Sequence, residues 1–189
     1  MERLLSDQDI LKIIGRRKSK IVTYPELSEY RTIEDLFGDK SIVIILFINE
    51  IIETATSRDV VGHWSVLSRM RRGKKTIIEF MDSYSLEPDE IKDQYNEDFL
   101  IETNQDQNIL TELLYNFSLN DPTREVHYNE IPFQKQSENT ATCGRWIAMR
   151  SKFIAVPLSK YQKVFQNMQA KGFDLDKLIV YLTDEMLDE

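Results

Sequence analysis

The residues best suited to nucleophilic chemistry begin with a lone cysteine. Cys143 is the single cysteine in 189 residues, so an intramolecular disulfide and the multi-cysteine zinc and iron–sulfur sites are excluded. It follows Asn139-Thr-Ala-Thr and opens an apolar helical pattern; at a helix N-terminus the dipole favours thiolate over thiol. Gly144 is expected to leave room for a substrate backbone beside the sulfur. Cys143 is thus a candidate nucleophile, with a packed core residue as the alternative.

A thiolate nucleophile needs a base that later protonates the leaving group, and histidine is the usual residue. The sequence contains two histidines, His63 and His127. His63 follows Gly62 at the start of a predicted strand, where its ring can face a cleft. His127 lies in a second strand-like segment. Taken alone, either residue is also compatible with a purely structural role.

Acyl transfer further requires a group that orients the imidazole and a donor for the oxyanion. A predicted hairpin about Gly73 pairs position 64 near position 82, which makes His63 and Asp82 cross-strand neighbours. The backbone N–H of Cys143 is one oxyanion donor. Gln134 and Gln136 both lie shortly upstream and either side chain can supply the second.

The elements that must position these residues are helices at both ends of the chain and strands in its middle, which predicts an α+β domain. The predicted helices are residues 7–14 with Ser6 as N-cap, 32–37, one beginning at Pro88, 99–116, 143–155, 160–170 and 175–187. The predicted strands are residues 42–48 (also compatible with a buried helical segment), 63–69, 76–81 and 124–128. Glycine and proline are scarce, repeats are absent, and residues 1–189 are expected to form one domain.

The net charge and the hydropathy limit the classes of partner that the chain is expected to bind. The net charge of -8 and pI of about 4.9 disfavour attraction to nucleic acid or an anionic membrane. Five cations between Arg69 and Lys75 form one basic run. We interpret this run as a solvated turn, and binding of nucleic acid or of an acidic partner is the lesser alternative. The longest apolar run, residues 41–48, is far short of the ~20 residues that span a bilayer. No signal peptide, transmembrane segment, metal or cofactor is expected.

The ordered set His63-Trp64, Asp82-Ser83-Tyr84, Gln136 and Cys143-Gly144 resembles the adenain/SUMO-protease superfamily of cysteine proteases. The spacing from Gln136 through Asn139 to Cys143 is similar to that of adenovirus-type proteases. The Asp-Ser-Tyr and Cys-Gly-Arg-Trp forms most resemble maturation proteases of virophages, Polinton-type elements and large DNA viruses. The resemblance is concentrated in residues 60–150.

This resemblance implies a papain-like, adenain-like fold with a central mixed sheet, helices on both sides and the catalytic cysteine at a helix N-terminus. It implies Cys143 as nucleophile, His63 as base and acid, Asp82 as orienting carboxylate and Gln136 as oxyanion donor, with Gln134 as its rival. Trp64 would wall the cleft beside His63.

The activity that the resemblance implies is a thiol endopeptidase cleaving capsid precursors at small or glycine-containing sites. It would work in the host cytoplasm, at the viral factory, and in the virion. Whether an activating peptide is needed is left open, although the sequence has no second cysteine to which such a peptide could be joined by a disulfide. A deconjugating isopeptidase for a ubiquitin-like modifier and an inactive binding or scaffold relative are the alternatives.

Overall fold

The apolar run that follows Ser41 forms the second strand of a five-stranded mixed sheet in the computed structural model, which describes residues 4–135 and 141–188. The strands, in both chain and sheet order, are β1 (Ser19–Thr23), β2 (Ile42–Glu53), β3 (Arg58–Arg72), β4 (Lys75–Asp82) and β5 (Arg124–Tyr128). Strands β2, β3 and β4 form an antiparallel meander, whereas β1 runs parallel to β2 and β5 parallel to β4.

Helices cover both faces of this sheet. The α-helices are α1 (Asp7–Ile14), α2 (Ile33–Phe37), α3 (Glu97–Glu102), α4 (Ile109–Ser118), α5 (Cys143–Lys152), α6 (Leu158–Ala170) and α7 (Leu175–Asp188). Helices α1, α5, α6 and α7 bury apolar side chains on one face, which we call the nucleophile face; α2, α4 and the 3-10 helix Tyr24–Glu29 cover the other. The predicted α+β class, with a central mixed sheet and helices on both sides, is confirmed.

The burial of strand β2 explains why residues 42–48 are apolar at every position and do not alternate with polar residues. Ile42, Ile44 and Leu46 pack into the core of the nucleophile face, while Val43, Ile45 and Phe47 pack into the opposite core. A strand buried on both faces needs apolar residues at every position, unlike a strand with one solvated face. The strand interpretation of residues 42–48 is therefore correct, and the strand continues to Glu53.

The predicted hairpin between β3 and β4 is present, but its register differs by one residue from the prediction. Arg72 pairs with Lys75, so Gly73 (φ 62°) and Lys74 form a two-residue turn. Asp82 therefore lies opposite Ser65 rather than Trp64. A one-residue shift moves a side chain to the other face of a sheet, and the observed register places Asp82 on the same face as His63.

Two other predictions need correction, and one strand was missed. Residues 99–116 are not one helix, because the chain breaks between α3 and α4, where Asn104 adopts φ 56° and the Gln105 side chain bonds the backbone of Ile48. The helix expected at Pro88 begins at Glu90 as a 3-10 helix, since Asp89 is left-handed with φ 72°. Strand β1 was not predicted from the sequence.

Candidate active site

The site lies in a notch at the edge of the sheet, where β4 ends and β3 continues. The pair Ser65–Asp82 is the last between these strands, while β3 extends toward Arg58 alongside β2. Helix α5 begins with Cys143 at this notch, and the backbone N–H of Trp64 bonds its sulfur. Because β4 ends at Asp82, the backbone N–H of Trp64 has no partner on β4 and is available to the sulfur. The notch lets a side chain from the nucleophile face meet side chains from the opposite face.

His63 and Asp82 form a buried pair on that opposite face. Nε2 of His63 lies 2.5 Å from Oδ2 of Asp82, and the two residues are 5% and 2% exposed. The second carboxylate oxygen accepts the backbone N–H of Tyr84 at 2.7 Å. The contact to Nε2 leaves Nδ1 of His63 for the Cys143 thiol, with which the ring is also hydrogen-bonded. This arrangement is the one expected of a carboxylate that orients an imidazole toward a thiol.

The electrostatics of this chain favour a thiolate–imidazolium pair. Burial alone would lower the pKa of His63, but the charge and hydrogen bond of Asp82, with Cys143 adding to them, raise it to about 10. Burial alone would raise the pKa of Cys143; the hydrogen bond and charge of His63 outweigh it, with the N–H groups of Trp64 and Gly144, and the net pKa is lowered. A lowered thiol pKa beside a histidine whose pKa is raised is the electrostatic arrangement that activates a cysteine for nucleophilic attack.

Asn129 fixes the backbone of Asp82 and was not identified from the sequence. Its Oδ1 accepts the Asp82 N–H at 2.9 Å, and its Nδ2 donates to the Asp82 carbonyl at 2.7 Å. Asn129 directly follows β5, which runs parallel to β4, so the two strands end at the same edge of the sheet. A polar residue after each of two predicted strands was the available signal, but the parallel pairing was not predicted.

Tyr84 and Gln134 form a second polar group beside the imidazole. The Tyr84 ring stacks on His63 with centroids 5.1 Å apart and planes inclined by 16°. Burial, with Cys143 and Asp82 adding to it, raises the pKa of Tyr84 to about 12, so its phenol stays neutral at physiological pH. The Gln134 amide donates to the Tyr84 hydroxyl at 3.1 Å and accepts from the Ser83 hydroxyl at 2.9 Å. Gln134 is therefore linked to His63 through the side chain of Tyr84.

The remaining candidate residues fall in different places. Gln136 lies outside the described residues. His127 is on β5, 42% exposed, with Nε2 3.0 Å from Glu125, so it is not part of the notch.

The expectation that Gly144 leaves room for substrate is wrong: a Cβ there would lie 3.2 Å from Cδ1 of Trp64 and 3.5 Å from both Ile10 and Leu5. This glycine permits close packing within the chain.

The basic run between Arg69 and Lys75 lies at the opposite end of β3 and β4 from the notch. Arg69 donates to the backbone carbonyls of Gly38 and Lys40, and Lys75 pairs with Glu125.

Among the described residues, no three His, Cys, Asp or Glu side chains converge as metal ligands would. Along the same residues, no helix has the length and apolar composition needed to cross a bilayer.

Comparison with known proteins finds similarity to a viral sequence and to a viral structure. No family model matches the chain. "Uncharacterized protein V9" of Sputnik virophage is 29% identical over 164 residues, covering 87% of this chain and 84% of that protein. The crystal structure of the ASFV pS273R protease is similar with a TM-score of 0.36 and 13% identity, over 82% of this chain. The match covers 60% of the protease chain, so this chain spans less than two thirds of its length.

Proposed function

We propose that this chain is a thiol endopeptidase in which Cys143 is the nucleophile, His63 the general base and acid, and Asp82 the orienting carboxylate. The observation that carries the proposal is the buried, hydrogen-bonded chain from Asp82 through His63 to Cys143. A cysteine that merely packs in a core has no need of a charged partner. Burying three ionisable groups is costly unless each is paired, and here each one is.

The chemistry that this geometry supports is acyl transfer. The Cys143 thiolate attacks the peptide carbonyl carbon, forming a C–S bond and a tetrahedral oxyanion. His63 donates its proton to the amine nitrogen as the C–N bond breaks, which leaves a thioester. His63, now neutral, takes a proton from water as the water attacks the thioester carbon. The C–S bond then breaks and the acid product leaves the regenerated thiolate–imidazolium pair.

The oxyanion is proposed to be held by the backbone N–H of Cys143 and the side chain of Gln136, with Gln134 as the rival donor. Gln136 is favoured by the resemblance of its spacing from Cys143 to that in adenovirus-type proteases. The position of Gln134 beside Tyr84 supports the rival, although its amide is already engaged with Ser83 and Tyr84. The two assignments differ in their effect on kcat and are compared in the Discussion.

The proposed substrates are capsid precursor proteins cut at small or glycine-containing sites during virion maturation, at the viral factory in the host cytoplasm and in the virion. The resemblance of the ordered site residues to viral maturation proteases supports this substrate class. The similarity to a Sputnik virophage protein across most of both chains supports a viral setting. An activating peptide is compatible with this proposal, and residues 1–189 are proposed to act as one protease domain.

The experiment that tests this proposal is cleavage of purified capsid precursor, followed by intact mass, with the wild-type chain and Cys143→Ala. We expect defined cleavage by the wild-type chain, its loss in Cys143→Ala, and a single iodoacetamide adduct that abolishes it. Undiminished cleavage by Cys143→Ala would refute the mechanism. Cleavage of a folded modifier with a Gly-Gly tail, but not of capsid precursor, would instead support the isopeptidase alternative.

A further inference from the structure

Asp176, near the start of α7, joins two parts of the chain that flank the candidate oxyanion segment. Its Oδ1 accepts the Thr142 hydroxyl at 2.6 Å, and its Oδ2 accepts the backbone N–H of Lys135 at 3.2 Å. Asp176 is 6% exposed and Thr142 is fully buried. Thr142 directly precedes the nucleophile, and Lys135 directly precedes Gln136. One buried carboxylate thus bonds both Thr142 and the backbone of Lys135.

A second contact joins Lys135 to the turn before α7. The Lys135 ammonium lies 3.0 Å from Oδ2 of Asp174, whose Oδ1 accepts the backbone N–H groups of Asp176 and Lys177. Asp174 therefore caps α7 and at the same time binds Lys135. These bonds link the position of Lys135 to the first turn of a helix that is itself packed into the core of the nucleophile face.

The bond to Asp176 also changes what Thr142 does at the start of α5. Thr142 occupies the N-cap position and its carbonyl accepts the Trp146 N–H, yet its hydroxyl makes no cap bond to the first turn. A threonine at this position usually accepts one of the exposed N–H groups of the helix. Here its hydroxyl donates to Asp176 instead. The first N–H groups of α5 are thereby left to the sulfur, which takes that of Gly144, and to a developing oxyanion.

We infer that Asp176 is a positioning residue, which holds Thr142 and Lys135 so that the oxyanion donors meet the carbonyl attacked by Cys143. This inference rests on the proposed function. It separates two properties of the site, because the sulfur is held by His63, Trp64 and Gly144 independently of Asp176. Loss of Asp176 should therefore leave the thiolate intact and impair only the step that needs the oxyanion donors.

The experiment measures two rates in Asp176→Ala and in the wild-type chain. One is the rate of Cys143 alkylation by iodoacetamide against pH. The other is kcat for a peptide coumarin amide with glycine before the scissile bond. We expect the alkylation profile to stay unchanged and kcat to fall about 100-fold, the typical effect of misplacing a reacting group by about 1 Å. Thr142→Val should reproduce this effect, and Thr142→Ser, which retains the hydroxyl, should recover most of the lost kcat.

The matched control is Asp184→Ala, another α7 carboxylate, which accepts from Arg145 at 2.7 Å and is 54% exposed. It should lower kcat by less than about 3-fold, and thermal unfolding should show that all variants fold. Hydrolysis by Asp176→Ala at the wild-type rate would overturn the inference. So would alkylation that falls in parallel with hydrolysis, because Asp176 would then act on the sulfur or on the fold. If the wild-type chain showed no Cys143-dependent hydrolysis, the proposed function would fail first.

Discussion

His63 and Asp82 lie on one face of the sheet, diagonally across two antiparallel strands, with their side chains 2.5 Å apart. Ser65, two residues from His63, is the direct partner of Asp82. The pair forms at the last rung of the β3–β4 ladder, where the imidazole is still held by sheet geometry but its other nitrogen faces the notch. This position explains how a histidine buried on one face can serve a cysteine that comes from the other.

The pH dependence of alkylation should report the thiolate–imidazolium pair directly. Because the pKa of Cys143 is lowered, its labelling by iodoacetamide should be fast well below the ordinary thiol pKa of about 8.5. In His63→Ala, burial would remain while the stabilising partner is lost, so the thiol pKa should rise. We expect the rate at pH 7 to fall about 30-fold, since an unperturbed thiol is only a few per cent ionised there.

The control for this measurement is His127→Ala, which removes the histidine outside the notch. Its labelling profile should coincide with that of the wild-type chain. Each adduct is unambiguous by intact mass, because Cys143 is the single thiol. Identical slow labelling in the wild-type chain and His63→Ala would contradict an activated sulfur.

The choice between Gln136 and Gln134 can be made by comparing the two alanine variants. Gln136→Ala should lower kcat by about 10²–10³-fold with little change in KM, as expected for a donor that binds only the oxyanion. Gln134→Ala removes the amide from Tyr84, which stacks on His63, and should have a smaller effect. Steady-state kinetics with the peptide coumarin amide provide the comparison. The reverse order of effects would transfer the oxyanion role to Gln134.

Gly62 should tolerate no side chain, although its backbone conformation is ordinary. A Cβ at this position would lie 1.7 Å from the Phe47 carbonyl oxygen, so Gly62→Ala must displace β2 or β3 next to His63. We expect the free energy of unfolding to drop by more than about 3 kcal/mol, together with loss of activity.

Gly73→Ala at the hairpin tip is the comparison for Gly62→Ala. Gly73 has φ 62°, but a Cβ there would have no atom of the described residues within 4 Å, so only backbone strain of about 1–2 kcal/mol should result. Activity should be unaffected, because the tip lies far from the notch. Urea denaturation gives both free energies, and equal losses for the two variants would refute the steric argument.

The buried pair between Glu79 and Arg150 should stabilise the packing of α5 and α6 on β4. Arg150 is fully buried and Glu79 is 2% exposed; Glu79 also accepts the Leu158 N–H at the start of α6. Arg150→Met would leave the buried Glu79 carboxylate with only Arg72, which lies 3.5 Å from its Oε1 and is 39% exposed. The substitution should cost up to about 3–5 kcal/mol in the free energy of unfolding.

Two further variants separate the pair from general effects of mutation. Adding Glu79→Gln to Arg150→Met should recover part of the loss, because the buried charge that has lost its nearest cation is then absent. Arg58→Met removes an exposed partner of Glu53 and should change the free energy by less than about 1 kcal/mol. Chemical denaturation provides the values. A cost for Arg150→Met as small as that for Arg58→Met would show that Arg72 alone is a sufficient cation for Glu79.

Much of the local structure was determined by the sequence itself. Alternate or continuous apolar patterns, together with Ser6 and Gly73, marked most helices and strands to within a few residues, because capping and turn formation depend on neighbours in the chain. The candidate nucleophile was equally visible, since the chain has one cysteine and its polar flank predicts a helix start. The separate roles of the site residues stay predictions, and Gln136 lies outside the described residues.

Only the tertiary structure decided which of these residues meet. The face on which Asp82 lies depends on a one-residue difference in register, which the sequence pattern of the hairpin did not resolve. Asn129 reaches Asp82 only because β5 pairs parallel to β4, and Asp176 reaches Thr142 only because α7 packs beside α5. Such contacts join positions 34 to 47 residues apart in the chain, and they arise from burial of shared apolar faces rather than from any local preference.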